Sequence, residues 1–305
     1  MLNLVDESRG QKELTKSARE VSSLLSTPGN PFVPSSRFVS DSALATLDWT
    51  EEAKRGVDQN FVLQIITQHL HSAERALQKA PDSPFLMNNL GLSCLNAGKI
   101  EEAIGYFENA LEIKNDLISA KLNLAKAHLL KGELEAALAI YTDLLPKYPK
   151  RALIHESLGE IFLRLALTEK IGDSLAKAEH HLKRAGEGNP SALNNLGIVY
   201  MLLGNLRSAL SSFKKALVLE PRAAKIQSNI ALCYVKLKNY DKGVRHFTAS
   251  LSLDRQNVGT AKALGRLHLS LRAYQSTVEL LREYEKYAKE DTQLLESLGE
   301  ALFCL

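Results

Sequence analysis

From Phe61 to the carboxy-terminal residue, apolar side chains recur at i, i+3, i+4 and i+7, with almost no alternation of the kind a β-strand needs. The pattern predicts a succession of amphipathic helices. A longer period lies over it. Asn89-Leu90-Gly91, Asn123-Leu124-Ala125, Ser157-Leu158-Gly159, Asn195-Leu196-Gly197, Asn229-Ile230-Ala231, Ala263-Leu264-Gly265 and Ser297-Leu298-Gly299 are versions of one phrase. Their small residues are separated by steps of 34, 34, 38, 34, 34 and 34 residues. A small residue at these places would let another helix approach closely. Gly98, Gly132 and Gly204 punctuate turns between helices. Pro149 and Pro221 follow helical stretches that proline cannot continue.

The unit resembles the tetratricopeptide repeat, a helix-turn-helix element of this period. The likeness runs through each unit. Ala103, Phe107 and Ala110 follow Gly91; Ala137, Tyr141 and Pro149 follow Ala125; Tyr200, Ala209, Phe213, Ala216 and Pro221 follow Gly197. The resemblance covers roughly residues 61–305 and implies an all-α solenoid of antiparallel helix pairs. It implies little about function, because such repeats serve many unrelated partners.

Units are predicted to begin near 84, 118, 152, 190, 224 and 258, with a half unit at 292–305. Phe61–Gln78 reads as the second helix of a degenerate first unit over 48–83, whose first helix would be capped by Asp48 or Thr50 and covered by Trp49. Residues 1–47, rich in Ser, Pro and Gly, read as a flexible tail with one short helix. The unit near 152 departs from the rest. Gly159 to Ala178 spans 19 residues where Gly91 to Ala103 spans 12, which places an insertion in 165–175, in the first helix or its turn. Thr277 and Tyr284 stand where small alanines are expected. At the end of the chain Leu302, Phe303 and Leu305 lack a covering helix. They point to self-association through this end, to a cover from the tail through Phe32, Val33, Phe38 and Val39, or to a chain cut short of its covering helix.

Composition narrows the classes. The chain has 305 residues, 45% of them hydrophobic and 24% charged, which excludes a wholly disordered protein. The net charge of +3 excludes a strongly polybasic one. Cys94, Cys233 and Cys304 are odd in number and far apart, so a disulfide scaffold is not expected and a reducing, cytoplasmic setting is. No apolar run approaches the ~20 residues that span a bilayer.

No catalytic constellation stands out, and the expectation is a protein that is not an enzyme and carries no cofactor. Gly91-Leu92-Ser93-Cys94-Leu95 half resembles a nucleophile elbow but falls inside a helix, so Cys94 reads as a buried thiol. His69 and His71 point to different faces, His180 and His181 are adjacent, and His128 and His268 take the repeat's aromatic position. No metal site is expected, since neither His nor Cys shows zinc spacing. Glu101, Glu102, Glu133 and Glu135 read as a solvated face.

One pattern suggests a binding face. Asn89, Asn123, Asn195 and Asn229 each lie two residues before their unit's small residue, although asparagine is a poor helix former. If the first helices line the concave face, these amides form a ladder whose donors and acceptors match a peptide backbone. The arrangement resembles the asparagine ladder of the superhelical domain of O-linked N-acetylglucosamine transferase, which implies an extended peptide held by its main chain. The alternative is that these asparagines bond neighbouring helices. The carboxylate clamp of co-chaperones is not matched: Asn88/Leu92, Leu122/Lys126, Glu156/Glu160, Asn194/Ile198 and Ser228/Leu232 do not fit, and Lys262/Arg266 is half of the pattern. Leu92 and Ile198 are candidate apolar contacts of the groove, and Lys126 a candidate polar one. Glu156 and Glu160 make the third unit acidic, and Lys225, Lys236, Lys262 and Arg266 make the later ones basic. Residues 222–290 hold 13 Lys and Arg against 6 Asp and Glu. An acidic protein or peptide fits this balance better than nucleic acid, because no basic-aromatic stacking platform is evident. The sequence therefore predicts a scaffold or adaptor, with no nucleic-acid partner and no membrane insertion. A targeting arm of a larger enzyme and a self-assembling protein remain as alternatives.

Overall fold

The computed structural model describes residues 59–169, 172–287 and 291–305. Among them are fourteen α-helices and no strand. The predicted tail at 1–47 and the first helix of the unit at 48–83 lie outside the described residues. The helices are α1 (Gln59–Lys79), α2 (Pro84–Asn96), α3 (Ile100–Ile113), α4 (Ile118–Lys131), α5 (Leu134–Leu144), α6 (Ala152–Glu169), α7 (Gly172–Ala185), α8 (Pro190–Leu202), α9 (Leu206–Leu219), α10 (Ala224–Lys236), α11 (Tyr240–Leu253), α12 (Val258–Ser270), α13 (Tyr274–Glu285) and α14 (Thr292–Phe303). They form an α-solenoid of consecutive helix pairs, as the period predicts. The described residues divide between Ala185 and Gly186 into two units, one holding α1–α7 and the other α8–α14.

Local chemistry starts the first helices. Ser83 and Asn189 each precede a proline that opens the helix, and each side chain accepts a backbone N–H, from Leu86 and Ala192 respectively. Asn257 and Asp291 cap α12 and α14 in the same way, accepting from Thr260 and Leu294.

Packing explains the small residues of the repeated phrase. A Cβ built on Gly91 would lie 2.7 Å from the ring of Phe107, and one on Gly197 would lie 2.5 Å from that of Phe213. On Gly159 and Gly265 it would meet Leu182 at 2.5 Å and Leu281 at 2.9 Å. First and second helices thus touch backbone against side chain, and Phe107 and Phe213 are wholly buried. Each such ring contributes about 2–3 kcal/mol by leaving water. In the amino-terminal unit, Leu122, Tyr141, Leu144, Ile154, Leu158 and Ile161 join α4, α5 and α6 in one core. In the carboxy-terminal unit, Phe247, Leu264, Leu281, Leu294 and Leu298 do the same from α11 to α14.

The insertion lengthens the first helix of its unit. α6 has 18 residues where α2, α8, α10 and α12 have 13 each. Five extra residues extend it by about 7 Å.

The turns after α2, α4, α8, α10 and α12 each use a left-handed residue. Gly98, Gly132 and Gly204 take φ of +77°, +93° and +77° there. Lys238 and Arg272 occupy the same register in the next two repeats and hold φ of +59° with a full side chain. That conformation costs a non-glycine residue ~1–2 kcal/mol. Lys238→Gly and Arg272→Gly should each raise stability by about 0.5–1 kcal/mol, after the greater freedom glycine gives the unfolded chain. Urea unfolding of the two variants checks this; a fall in midpoint would show that the turn carries no strain.

Candidate functional site

The first helices place the repeated asparagines in two different settings. Asn123 on α4 is 0% exposed and its Nδ2 donates to Asn88 Oδ1 on α2 at 2.9 Å. Asn229 on α10 is 8% exposed and donates to Asn194 Oδ1 on α8 at 2.8 Å. Each bond joins residues 35 apart, one more than the repeat, and so ties consecutive first helices together. In the following repeat a hydroxyl pair takes over, with Thr260 Oγ1 donating to Ser228 Oγ at 3.2 Å. A bond between two buried amides is worth about 1 kcal/mol, and losing one partner costs more. Asn89 and Asn195, at the same register as Asn123 and Asn229, are half-buried.

The other predicted groove residues are spread in exposure. Leu92, Lys126 and Lys225 are half-buried, and Lys236 and Arg266 are exposed. Ile198 is 5% exposed and lies in the interior of its unit. Lys262 is held by an ion pair, its Nζ 2.7 Å from Asp291 Oδ2. Burial pushes the Asp291 carboxyl up, but its bonds with Lys262 and the N–H groups opening α14 outweigh that and hold it below the usual carboxylate range. Its charge therefore serves α14 as well as Lys262.

Cys94 and Cys233 are buried, and burial pushes both thiols up to about 11. They stay protonated and pack as small apolar groups. His128, at the repeat's aromatic position, turns its Nδ1 onto Glu133 Oε2 at 2.6 Å. Among the described residues no three His, Cys, Asp or Glu side chains could hold a metal ion. Nor is any described helix long and apolar enough to cross a membrane.

Periodicity did not single out three residues that the structure makes important. Asn88 and Asn194 were visible as asparagines doubled with Asn89 and Asn195, but only the 35-residue spacing reveals their partners. His155 is 2% exposed and links two helices. Its Nδ1 lies 2.9 Å from His181 Nδ1 on α7, and its Nε2 lies 3.0 Å from the carbonyl of Pro149.

Family models of the tetratricopeptide repeat match residues 70–117, 95–161, 190–222 and 224–257, together just over half of the chain. The chain belongs to the tetratricopeptide repeat family. Repeats of this family build extended surfaces for protein–protein contact, and the chain is a scaffold of that general kind. Among curated proteins it is similar to the BBSome complex member BBS4 of Bos taurus, 28% identical over 114 residues. That match takes in 36% of this chain and 22% of BBS4. The Mus musculus protein is 27% identical over the same length. The chain thus spans about a fifth of the length of the curated relatives it matches. Among solved structures, the fold is similar to a chain of the APC/C hetero-tetramer Cut9-Hcn1, with a TM-score of 0.69 at 19% identity. That likeness covers 99% of this chain and 58% of the other. A tetratricopeptide repeat protein from Parabacteroides merdae gives a TM-score of 0.59 at 19% identity, over 78% of this chain and 93% of the other. These likenesses establish the fold.

Proposed function

We propose that this chain is a non-catalytic cytoplasmic scaffold or adaptor that holds an extended segment of a partner protein along the face of its first helices. The observation that carries the reading is the asparagine register. In each unit a buried pair, Asn88 with Asn123 or Asn194 with Asn229, fixes neighbouring first helices in place. Beside each pair stands a half-buried amide, Asn89 or Asn195, with a donor and an acceptor to offer a peptide main chain. Half-buried Leu92 and Leu232 add apolar contact, and Lys126, Lys225, Lys236 and Arg266 give the face its charge. The name of the BBS4 relatives, a member of a complex, agrees with a role in assembly.

A peptide selected against the intact chain from a random-sequence display library provides the probe. Asn89→Ala and Asn195→Ala should each weaken its binding about twofold to tenfold, at ~0.5–1.5 kcal/mol per lost bond, and a double variant combines them. Melting should not fall, because alanine favours the helix. Unchanged affinity in the double variant would remove the asparagine register from the account.

A further inference from the structure

A second feature lies on the side of the second helices and does not depend on the first-helix face. Tyr234 projects from α10 to a point between α9 and α11, where it is 8% exposed. Lys214 Nζ, from α9, lies 5.9 Å from its ring centre, and Lys242 Nζ, from α11, lies 5.4 Å away. The His246 ring, also from α11, stacks on Tyr234 at 5.4 Å and 19°, and its Nδ1 meets Gln227 Oε1 at 2.7 Å. Three consecutive helices thus gather two ammonium groups and an imidazole around one ring. Both lysines are exposed, and neither is in an ion pair among the described residues. By contrast Lys215, next to Lys214, is held by Glu187 at 2.7 Å. Asp241, exposed beside Lys242 in the chain, is not one of the charges that act on His246. Burial, and then the positive charge of Lys214 and Lys242, pushes the His246 imidazole below its ordinary range.

We propose that Lys214, Lys242 and His246 form a docking point for an acidic segment of a partner protein, on the second-helix side of the repeats that begin near 190 and 224. Like charges brought together on a rigid frame repel one another, and an anion between them removes that repulsion. The surrounding charge favours the same ligand, with 13 Lys and Arg against 6 Asp and Glu over 222–290. The geometry favours protein carboxylates over nucleic acid. A stacking platform needs a bare aromatic face, and here His246 and the two lysines already occupy the surroundings of Tyr234.

The test uses the full chain with a fluorescent peptide of alternating Glu and Ser, the same peptide with Gln for Glu, and a single-stranded oligonucleotide of equal charge. The Glu peptide should bind, and more weakly as salt rises. Lys214→Gln and Lys242→Gln should each weaken it about twofold to fivefold, and the pair about tenfold. The His246 proton resonance, followed against pH, should titrate at higher pH when the Glu peptide is bound, and also in the free double variant. Equal binding of the Gln peptide, an unchanged affinity in the double variant, a His246 midpoint that the peptide does not move, or binding of the oligonucleotide alone would each overturn the proposal.

Discussion

Gly197→Ala should destabilise the carboxy-terminal unit by about 2 kcal/mol, whereas Gly299→Ala should stabilise it by about 0.5–1 kcal/mol. The two glycines hold the same place in the repeat, so periodicity alone predicts the same outcome for both. Their surroundings differ. A methyl group on Gly197 would fall 2.5 Å from the ring of Phe213, a side chain with no exposed surface in which to move. Forcing extra volume into such a contact costs ~1–3 kcal/mol, more than the helix propensity alanine returns. A methyl group on Gly299 meets nothing within 4 Å, because no second helix packs on that side of α14 among the described residues. There only the gain from replacing a flexible helical residue remains. Urea unfolding followed by far-ultraviolet dichroism measures both variants. Two midpoints shifted the same way would show that Gly197 is not a packing requirement.

The second large effect is acid sensitivity of the amino-terminal unit. The Pro149 carbonyl can only accept, so His155 Nε2 donates to it, and in the neutral ring Nδ1 then presents a lone pair. His181 Nδ1 therefore donates across the 2.9 Å contact that ties α6 to α7. Around it stand Phe162, stacked at 5.7 Å, and His180, edge-on at 5.3 Å. Burial pushes the His181 imidazole down to about 4, with help from His155, His180 and Arg184. Its folded value thus lies below the unfolded one near 6.5, and between the two the unfolded chain binds the extra proton. Stability present above pH 6.5 is lost as the pH falls toward 4. The full shift corresponds to about 3 kcal/mol, and for a ring that keeps some contact with water to about 2 kcal/mol. Burial also lowers His69 in the same unit, which adds loss in the same direction, and lowers His246 and His268 in the carboxy-terminal unit. His181→Asn keeps a donor toward His155 without the titrating ring. Its unfolding free energy should fall by about 2 kcal/mol less than that of the unaltered chain between pH 7 and pH 4.5. Parallel pH profiles would place the acid-labile group elsewhere.

Much of this architecture is legible in the chain. Small residues at a 34-residue step read directly as close helix contacts, and at Gly91 and Gly197 only glycine admits Phe107 and Phe213 at that distance. The longer step at Gly159 to Gly197 reads as an insertion, and α6 carries much of it. What the chain conceals is set by contacts between repeats. Asn123 and Asn89 share a register, but only Asn123 has an asparagine 35 residues earlier, so one amide is spent in the interior and the other stays half-buried. Lys262 reads as a groove cation, and its ion pair with Asp291 depends on where α14 begins. Lys238 and Arg272 conceal a left-handed turn because no glycine announces it. His155 has no periodic partner at all, since its contact joins two helices of one irregular repeat.

The most direct test of the scaffold reading is where a bound peptide touches the chain. A photo-crosslinking residue is placed at Lys126 or Arg266 on the first helices, or at Val218 on α9, which is 79% exposed. Each protein is irradiated with the peptide selected from the display library. The account predicts adducts from Lys126 on the amino-terminal unit or from Arg266 on the carboxy-terminal unit, and none from Val218. Adducts from Val218 alone would contradict it.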